Sequence, residues 1–166
     1  MLLHIVRHGI AIDREDPDCP PENERYLTEE GLKRTREVGR GLRKIGVTVD
    51  RVLTSPLVRA RQTAEIIAEE LGVTAPLTVT AALSPGFTIA ELGEALMKID
   101  RADSIMIVGH EPDLSELISM LVWGDDSGMV EMKKAAAALV ELDSIPPGSQ
   151  SASLRWLLPP KVLTKL

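Results

Sequence analysis

Short apolar runs alternate with longer amphipathic stretches along this chain. The runs at residues 2–6, 51–54 and 104–108 have the length and composition of buried parallel strands, and residues 77–79 form a weaker run of the same kind. Because strands that alternate with helices build parallel sheets covered on both faces, the pattern predicts an α/β fold with three layers, α/β/α. No repeat or linker divides the sequence, so a single domain over residues 1–166 is expected.

Two further segments towards the carboxyl end predict strands in a different arrangement. Residues 135–142 and 152–158 flank Pro146-Pro147-Gly148, which is a typical turn sequence. We therefore expect these segments to close the mostly parallel central sheet as an antiparallel strand pair.

The amphipathic stretches carry helix start and stop signals. They predict helices over residues 28–45, 56–71, 89–99 and 112–122. Thr28 is expected to cap the first helix, which Gly46 ends. Thr88 and Glu91 have the spacing of a capping box at the start of the third.

The second helix has the clearest boundary signals, and the segment before the first helix has the weakest. Ser55 is predicted as the N-cap of the second helix, with Pro56 at the first helical position and Gly72 past the end. Residues 9–27, in contrast, are polar, contain proline and follow no apolar period. A loop of this length is expected to be either functional or mobile.

Composition and charge exclude several classes of partner. The formal net charge is −6 and aromatic residues make up 2% of the chain, so neither nucleic acid nor an anionic membrane surface is expected as a partner. No apolar stretch approaches the length of a membrane span, and the first residues lack the pattern of a signal peptide. Cys19 is the single cysteine, which excludes an internal disulfide. These features predict a cytoplasmic protein.

Three of the predicted strands lead into segments that carry histidine or arginine. The first ends at Arg7-His8-Gly9, the second leads into a helix that carries Arg59, and the third leads into Gly109-His110. Open α/β sheets bind their ligands at the carboxyl ends of their strands. Two histidines and at least two arginines therefore meet in one crevice, which predicts a site for a phosphoryl group.

The residue types suggest a role for each side chain. His8 is the candidate nucleophile, because a neutral imidazole attacks phosphorus without an activating base. Arg7 and Arg59 fit a phosphate clamp, since guanidinium groups match phosphoryl oxygens in bidentate fashion. His110 is suited to donate a hydrogen bond to a phosphoryl oxygen during transfer. Arg61 is predicted to point away from this site around its helix.

A metal site is not expected at these histidines. Arg7 and Arg59 would crowd a cation with positive charge, and no cysteine or acidic ligand accompanies His4, His8 and His110 in the sequence. The sequence therefore predicts neither a metal nor a cofactor. His4 is interpreted as a structural residue that points into a face of the sheet.

Three segments together resemble the histidine phosphatase superfamily, which includes cofactor-independent acid phosphatases and phosphoglycerate mutases. They are RHG at residues 7–9, SPLVRARQTAE at 55–65 and VGHEP at 108–112, in matching order over roughly residues 2–158. The resemblance implies that His8 is phosphorylated during turnover and that Arg7, Arg59 and His110 hold the phosphoryl group. The short chain looks most like the SixA-type phosphohistidine phosphatases.

One departure from the wider family bears on the substrate. Mutases and many small-molecule phosphatases of the family carry an insertion and a glutamate general acid in a segment that corresponds to residues 71–90, and this sequence has no Asp or Glu there. An imidazole leaves phosphorus with far less help from an acid than an alkoxide does, so P–N bonds should suit the site better than P–O bonds. Asp13, Glu15 and Glu111 are the remaining candidate proton donors.

The missing insertion also predicts a shallow, open site. An open site suits a phosphorylated protein, such as a histidine-containing phosphotransfer domain, whose contacts could include the loop at residues 13–25. Two alternatives remain on the sequence alone. One is a phosphatase of the same superfamily that acts on small phosphate esters, and the other is a non-catalytic phosphate-binding module.

Overall fold

A computed structural model describes residues 1–125 and 130–166 of the chain. Six strands form one sheet: β1 (Leu2–Arg7), β2 (Arg51–Thr54), β3 (Thr78–Val79), β4 (Ser104–Gly109), β5 (Ala137–Leu142) and β6 (Ala152–Leu158). Their order across the sheet is β3-β2-β4-β1-β5-β6. Neighbouring strands from β3 to β1 run parallel, whereas β5 is antiparallel to both β1 and β6. The predicted mostly parallel sheet with a closing antiparallel strand pair is confirmed.

Helices cover both faces of this sheet. They are α1 (Glu29–Lys44), α2 (Val58–Leu71), α3 (Ile89–Met97), α4 (Asp113–Val122) and the short α5 (Pro160–Leu163). One apolar cluster packs α3 and α4 against side chains such as Leu3, Ile5 and Ile107. A second cluster packs α1, α2 and α5 against Val6 and Val108 on the other face. Adjacent residues of β1 thus enter opposite cores, as the alternation of side chains along a strand requires, and the three-layer architecture is confirmed.

The boundaries of α1 and α3 follow the predicted capping chemistry. The Thr28 side chain accepts a hydrogen bond from the Gly31 backbone N–H at 3.0 Å. Thr88 and Glu91 form both hydrogen bonds of a capping box, so that two backbone N–H groups at the start of α3 have partners.

The start of α2 differs from the prediction. The helix begins at Val58 with Leu57 as its N-cap residue, so Ser55 and Pro56 lie before it. The Ser55 hydroxyl accepts a hydrogen bond from the Leu57 backbone N–H at 3.3 Å and is also bonded to a histidine of the site described below. The interpretation of Ser55 as a helix cap was therefore wrong. The predicted end of α2 at Gly72 is confirmed, since that residue adopts a left-handed conformation.

None of the helices in residues 1–125 and 130–166 is both long and apolar enough to cross a membrane.

Candidate active site

The sheet register brings the ends of β1, β2 and β4 together. Arg7 pairs with Gly109 and Thr54 pairs with Val108 across the parallel strands. The next residue of each strand therefore emerges at the same edge of the sheet, and these residues are His8, Ser55 and His110. The imidazole ring centroids of His8 and His110 lie 5.3 Å apart.

A cleft of about 570 Å³ opens at this edge. Its described lining is Arg7, His8, Arg14, Glu22, Arg25, Arg59, Pro85, His110, Glu111 and Lys134. All four residues that the motifs predict for phosphoryl binding and transfer are thus brought into one site. Arg14, Glu22, Pro85 and Lys134 are exposed to solvent, whereas His8, Arg59 and His110 are buried at its base.

The imidazole of His8 is held in one orientation by the turn that follows β1. Its Nδ1 lies 2.7 Å from the Gly9 carbonyl oxygen. A carbonyl accepts hydrogen bonds and cannot donate them, so Nδ1 carries the proton and Nε2 keeps the unshared electron pair. Burial, assisted by the charges of Arg59 and Arg7, lowers the pKa of His8 to about 3. The ring is therefore a neutral nucleophile over the whole physiological pH range.

Gly9 is required by the close packing of this turn. A Cβ atom at position 9 would lie 2.5 Å from the Thr35 hydroxyl oxygen. The Gly9 backbone N–H donates to the Thr63 hydroxyl at 2.9 Å, and that hydroxyl donates to the Arg59 carbonyl oxygen at 2.7 Å. The turn that carries His8 is thereby tied to the first two turns of α2, which carries Arg59.

His110 is oriented by Ser55. Its Nε2 lies 2.8 Å from the Ser55 hydroxyl oxygen, and its buried Nδ1 has no hydrogen-bond partner among the described residues. Ser55 already accepts from the Leu57 N–H. When the hydroxyl donates its own proton to Nε2, Nδ1 is left as the donor. Burial lowers the pKa of His110 to about 4, and the charge of Arg59 acts in the same direction.

The two predicted clamp arginines are fixed by backbone carbonyls. Arg7 donates from Nη1 to the Met132 carbonyl oxygen at 2.8 Å, and Arg59 donates from Nη1 to the Glu22 carbonyl oxygen at 2.8 Å. The Nε atoms of both side chains are buried and form no hydrogen bond within the described part of the chain. Burial lowers the pKa of both guanidinium groups, and nearby Glu111 and Glu22, respectively, oppose this shift. Both remain cationic and keep donors for an anionic ligand.

The structure adds residues that the motifs did not predict. Arg14, Glu22 and Arg25 come from the loop between β1 and α1, and Lys134 precedes β5. Within an aperiodic loop, no sequence pattern distinguishes an individual charged residue of the cleft from an ordinary solvated one. Only the loop as a whole carries a signal, because it is rich in charged residues and directly follows the candidate nucleophile.

Glu22 is bonded directly to one arginine of the predicted clamp. It accepts a hydrogen bond from Arg59 Nη2 at 3.0 Å, and Arg14 and Arg25 also bond to it. Hydrogen bonding from Arg14 is the largest cause that lowers the pKa of Glu22, to about 2. A carboxyl group this acidic is ionised at neutral pH and does not serve as a general acid.

The three candidate proton donors occupy different places. Asp13 and Glu15 are exposed outside the described lining of the cleft, and an Asp13 carboxylate oxygen accepts the Glu15 backbone N–H at 2.9 Å. Glu111 does line the cleft. Both of its oxygens accept hydrogen bonds from Ser115, one from the backbone N–H at 3.1 Å and one from the hydroxyl. Glu111 thus satisfies donors in the first turn of α4.

His4 lies apart from this cleft and contacts Trp156, with ring centroids 5.9 Å apart. It is buried, as predicted for a residue that points into a face of the sheet. The described residues contain no cluster of three or more His, Cys, Asp or Glu side chains with the geometry of a metal site.

The chain is similar to several known proteins. Residues 3–84 match the model of the histidine phosphatase superfamily, branch 1. An uncharacterized protein of Picosynechococcus sp. is 36% identical over 96% of this chain and 100% of its own length. The phosphohistidine phosphatase SixA of Escherichia coli K12 is 27% identical over 96% of this chain and 94% of its own. The structure of the protein histidine phosphatase SixA complexed with tungstate aligns at a TM-score of 0.80 and 26% identity, covering 98% of this chain and 99% of that one.

The fold is of the phosphoglycerate mutase-like class. The chain belongs to the histidine phosphatase superfamily, within which it is of the SixA type, and it is a phosphatase. The alternative of a non-catalytic phosphate-binding module is thereby disfavoured.

Proposed function

We propose that this protein hydrolyses phosphohistidine on a partner protein without a metal ion, through a phosphohistidine intermediate on His8. The observation that carries the proposal is the protonation and charge of the polar groups in the cleft. A neutral imidazole with its electron pair on Nε2 stands among cationic side chains, and Glu22, the carboxylate bonded to Arg59, is held ionised. The site therefore has a nucleophile and a phosphate clamp, while this carboxylate gives it no proton donor.

In the first step, Nε2 of His8 attacks phosphorus. The P–N bond to the substrate imidazole breaks as the bond from His8 to phosphorus forms. The substrate reacts in the form protonated on its other ring nitrogen, so that it departs as neutral imidazole while the His8 ring takes up the positive charge. Arg7 and Arg59 line the cleft and neutralise the phosphoryl oxygens, since each guanidinium keeps N–H donors beyond those bonded within the protein. The imidazole of His110, which also lines the cleft, stabilises a further oxygen. The His8 Nδ1–H bond to the Gly9 carbonyl stabilises the positive charge that develops on the His8 ring.

In the second step, water attacks the phosphorus of phospho-His8. The bond to Nε2 breaks and its electron pair returns to His8, which becomes neutral again. The attacking water loses a proton to solvent, and inorganic phosphate is released as hydrogen phosphate. The same donors serve both steps because the phosphoryl group stays at one position while the groups on its two sides exchange. The cationic lining also supports metal independence, since Arg7, Arg59 and Lys134 supply the positive charge that a metal ion provides elsewhere.

The leaving group decides between P–N and P–O substrates. A positioned general acid contributes about 10²–10⁴-fold to the expulsion of a leaving group. Glu22 does not provide it, and Glu111 is engaged with Ser115 in the first turn of α4. A phosphohistidine substrate depends less on a general acid than a phosphate ester does.

The access to the cleft supports a protein substrate. Arg14, Pro85 and Lys134 are exposed residues of its lining, and the segment that connects β3 to α3 and contributes Pro85 is short. A phosphorylated side chain on a folded partner, such as a histidine-containing phosphotransfer domain, can therefore approach from solvent. The similarity to the phosphohistidine phosphatase SixA of Escherichia coli supports this substrate class.

A small-molecule phosphomonoesterase is the second candidate. One observation favours it, namely that Glu111 lines the cleft next to His110 and could turn towards a leaving oxygen. A general acid at this position would make phosphate esters practical substrates.

The decisive experiment measures phosphate release in the presence of a chelator. The substrates are a phosphotransfer domain phosphorylated on histidine and a panel of phosphate monoesters, and the enzymes are the wild type, His8→Ala and Glu111→Gln. We expect rapid release from phosphohistidine only, loss of this activity in His8→Ala, and little change in Glu111→Gln. Faster turnover of monoesters that depends on Glu111 would instead establish the second candidate.

A further inference from the structure

The carboxylate of Glu22 is shared by three guanidinium groups. Arg14 donates to it from Nε at 2.9 Å and from Nη2 at 2.8 Å, Arg25 donates from Nη1 at 3.2 Å, and Arg59 donates from Nη2 at 3.0 Å. The exposed fractions of the Arg25 and Arg59 side chains are 7% and 4%, whereas that of Glu22 is 46%. An anion at the mouth of the cleft is thus bound by buried cations below it.

Glu22 occupies only one edge of the Arg59 guanidinium. Its backbone carbonyl oxygen and its carboxylate accept from Nη1 and Nη2, which together form the outer edge of the group. The Nε–H on the other edge forms no hydrogen bond to any residue that the structure describes. A guanidinium has five N–H donors, and the bonds to Glu22 use two of them, so Arg59 keeps Nη donors for a phosphoryl oxygen in the cleft that it lines.

The charge balance of the cleft gives this arrangement a consequence for turnover. Its described lining contains five cationic side chains and two carboxylates. Such a lining attracts the phosphoryl group of the substrate but also retains the phosphate product. When substrate, intermediate and product are bound equally tightly, release of the product is slow. Glu22 is the carboxylate that is bonded directly to a predicted phosphate ligand.

We propose that Glu22 is a positioning residue that acts as an internal anion of the cleft. It holds the outer edge of Arg59 in place, and its negative charge weakens the binding of phosphate so that the product can leave. This inference rests on the proposed phosphoryl site at Arg7, His8 and Arg59, and adds to it the residue that sets its anion affinity.

The loop that carries Glu22 has other anchors. Ile12 N–H donates to the Tyr26 carbonyl oxygen at 2.9 Å, and Arg25 Nε donates to the Ile12 carbonyl oxygen at 3.0 Å. Leu27 N–H donates to Gln62 on α2 at 2.7 Å. A change at the Glu22 carboxylate therefore leaves the loop attached, and its effect on anion binding can be measured separately.

The test is the affinity for inorganic phosphate, measured by isothermal titration calorimetry at neutral pH. Glu22→Gln removes the charge while the backbone carbonyl still holds Arg59. We expect it to bind phosphate about 10-fold more tightly than the wild type, because a like charge close to the ligand is removed. Steady-state assays should show a lower kcat and stronger inhibition by phosphate. Glu24→Gln, an equal charge change at an exposed position of the same short turn, is the matched control and should bind like the wild type.

A merely structural role predicts the opposite sign. If Glu22 only stabilises the loop, Glu22→Gln and Glu22→Ala will bind phosphate more weakly or equally, and either result overturns the inference while the proposed function stands. Tighter binding in both variants supports it, and Glu22→Ala keeps the test decisive if one variant folds poorly. A wild type that binds no phosphate would instead remove the proposed phosphoryl site itself.

Discussion

His8 and His110 differ from free histidine because burial and neighbouring arginines disfavour their charged forms. The pKa is lowered to about 3 for His8 and to about 4 for His110, from an ordinary value near 6.5. We therefore expect both rings to remain neutral in the substrate-free protein down to about pH 5. The measurement is an NMR titration of the imidazole Cε1–H signals between pH 8 and pH 4.

The assignment of these signals needs His8→Ala and His110→Ala, each of which removes one signal. The same protein unfolded in urea is the internal reference, in which all three histidines should titrate near 6.5. A midpoint between pH 6 and pH 7 for His8 in the folded protein would contradict a nucleophile that is neutral at every physiological pH.

Sequence reasoning located some residues of this site and missed others for a physical reason. Arg7, His8 and His110 lie at the ends of apolar strands, and the parallel register of a sheet fixes where such residues emerge. Arg59 follows from its place in the first turn of α2. Glu22 reaches the cleft through the path of an aperiodic loop, which depends on tertiary contacts that no local pattern encodes.

At the scale of elements, α1 contains two glycines that allow close contacts with backbone. A Cβ at Gly31 would lie 2.0 Å from the Ile10 carbonyl oxygen, and a Cβ at Gly41 would lie 2.2 Å from the Leu163 carbonyl oxygen. The contact at Gly31 supports the loop that follows His8, whereas the contact at Gly41 supports α5. Substitutions at the two glycines therefore distinguish an effect on activity from an effect on stability.

We expect Gly31→Ala and Gly41→Ala each to destabilise the fold by about 2 kcal/mol, because backbone has to move to admit the methyl group. Gly31→Ala should also lower kcat/KM by at least about 10-fold, since a small displacement of reacting groups is costly. Gly41→Ala should leave kcat/KM within about 2-fold of the wild type. Urea unfolding and the phosphohistidine assay measure the two quantities. Equal losses of activity in both variants would show that α1 does not position the loop.

The elements themselves were largely predictable from periodicity and capping residues. The sheet, α1 and α3 match their predictions because local signals and tertiary packing agree there. The start of α2 was mispredicted because Ser55 is a good N-cap residue by type but lies two residues before the actual N-cap, Leu57. Its hydroxyl bonds both to the Leu57 backbone N–H and to His110.

At the scale of the whole molecule, the three histidines couple folding to pH. His4, His8 and His110 have pKa values of about 4, 3 and 4 in the folded protein, chiefly because of burial. Above pH 6.5 they are neutral whether the chain is folded or unfolded, and stability is unaffected. As the pH falls below 6.5 the unfolded chain binds protons that the folded chain does not, so the free energy of unfolding decreases until the folded pKa values are reached.

The expected size of this effect is large relative to the stability of a small protein. Each histidine contributes up to about 1.4 kcal/mol per pH unit between its unfolded and folded pKa values. Three of them therefore remove about 4 kcal/mol per unit below pH 6, against a typical total of 5–15 kcal/mol. Urea unfolding at pH 8, 7, 6 and 5 should show little change between pH 8 and pH 7 and a steep loss towards pH 5.

His4→Leu separates this effect from catalysis, because His4 lies away from the cleft and contacts Trp156. Its ring nitrogens have no hydrogen-bond partner among the described side chains and backbone, so leucine removes a titrating group without breaking a hydrogen bond. The variant should keep its phosphatase activity and lose stability about one third less steeply between pH 6 and pH 5 than the wild type. An unchanged slope would mean that carboxylates, and not buried histidines, control the acid sensitivity of this fold.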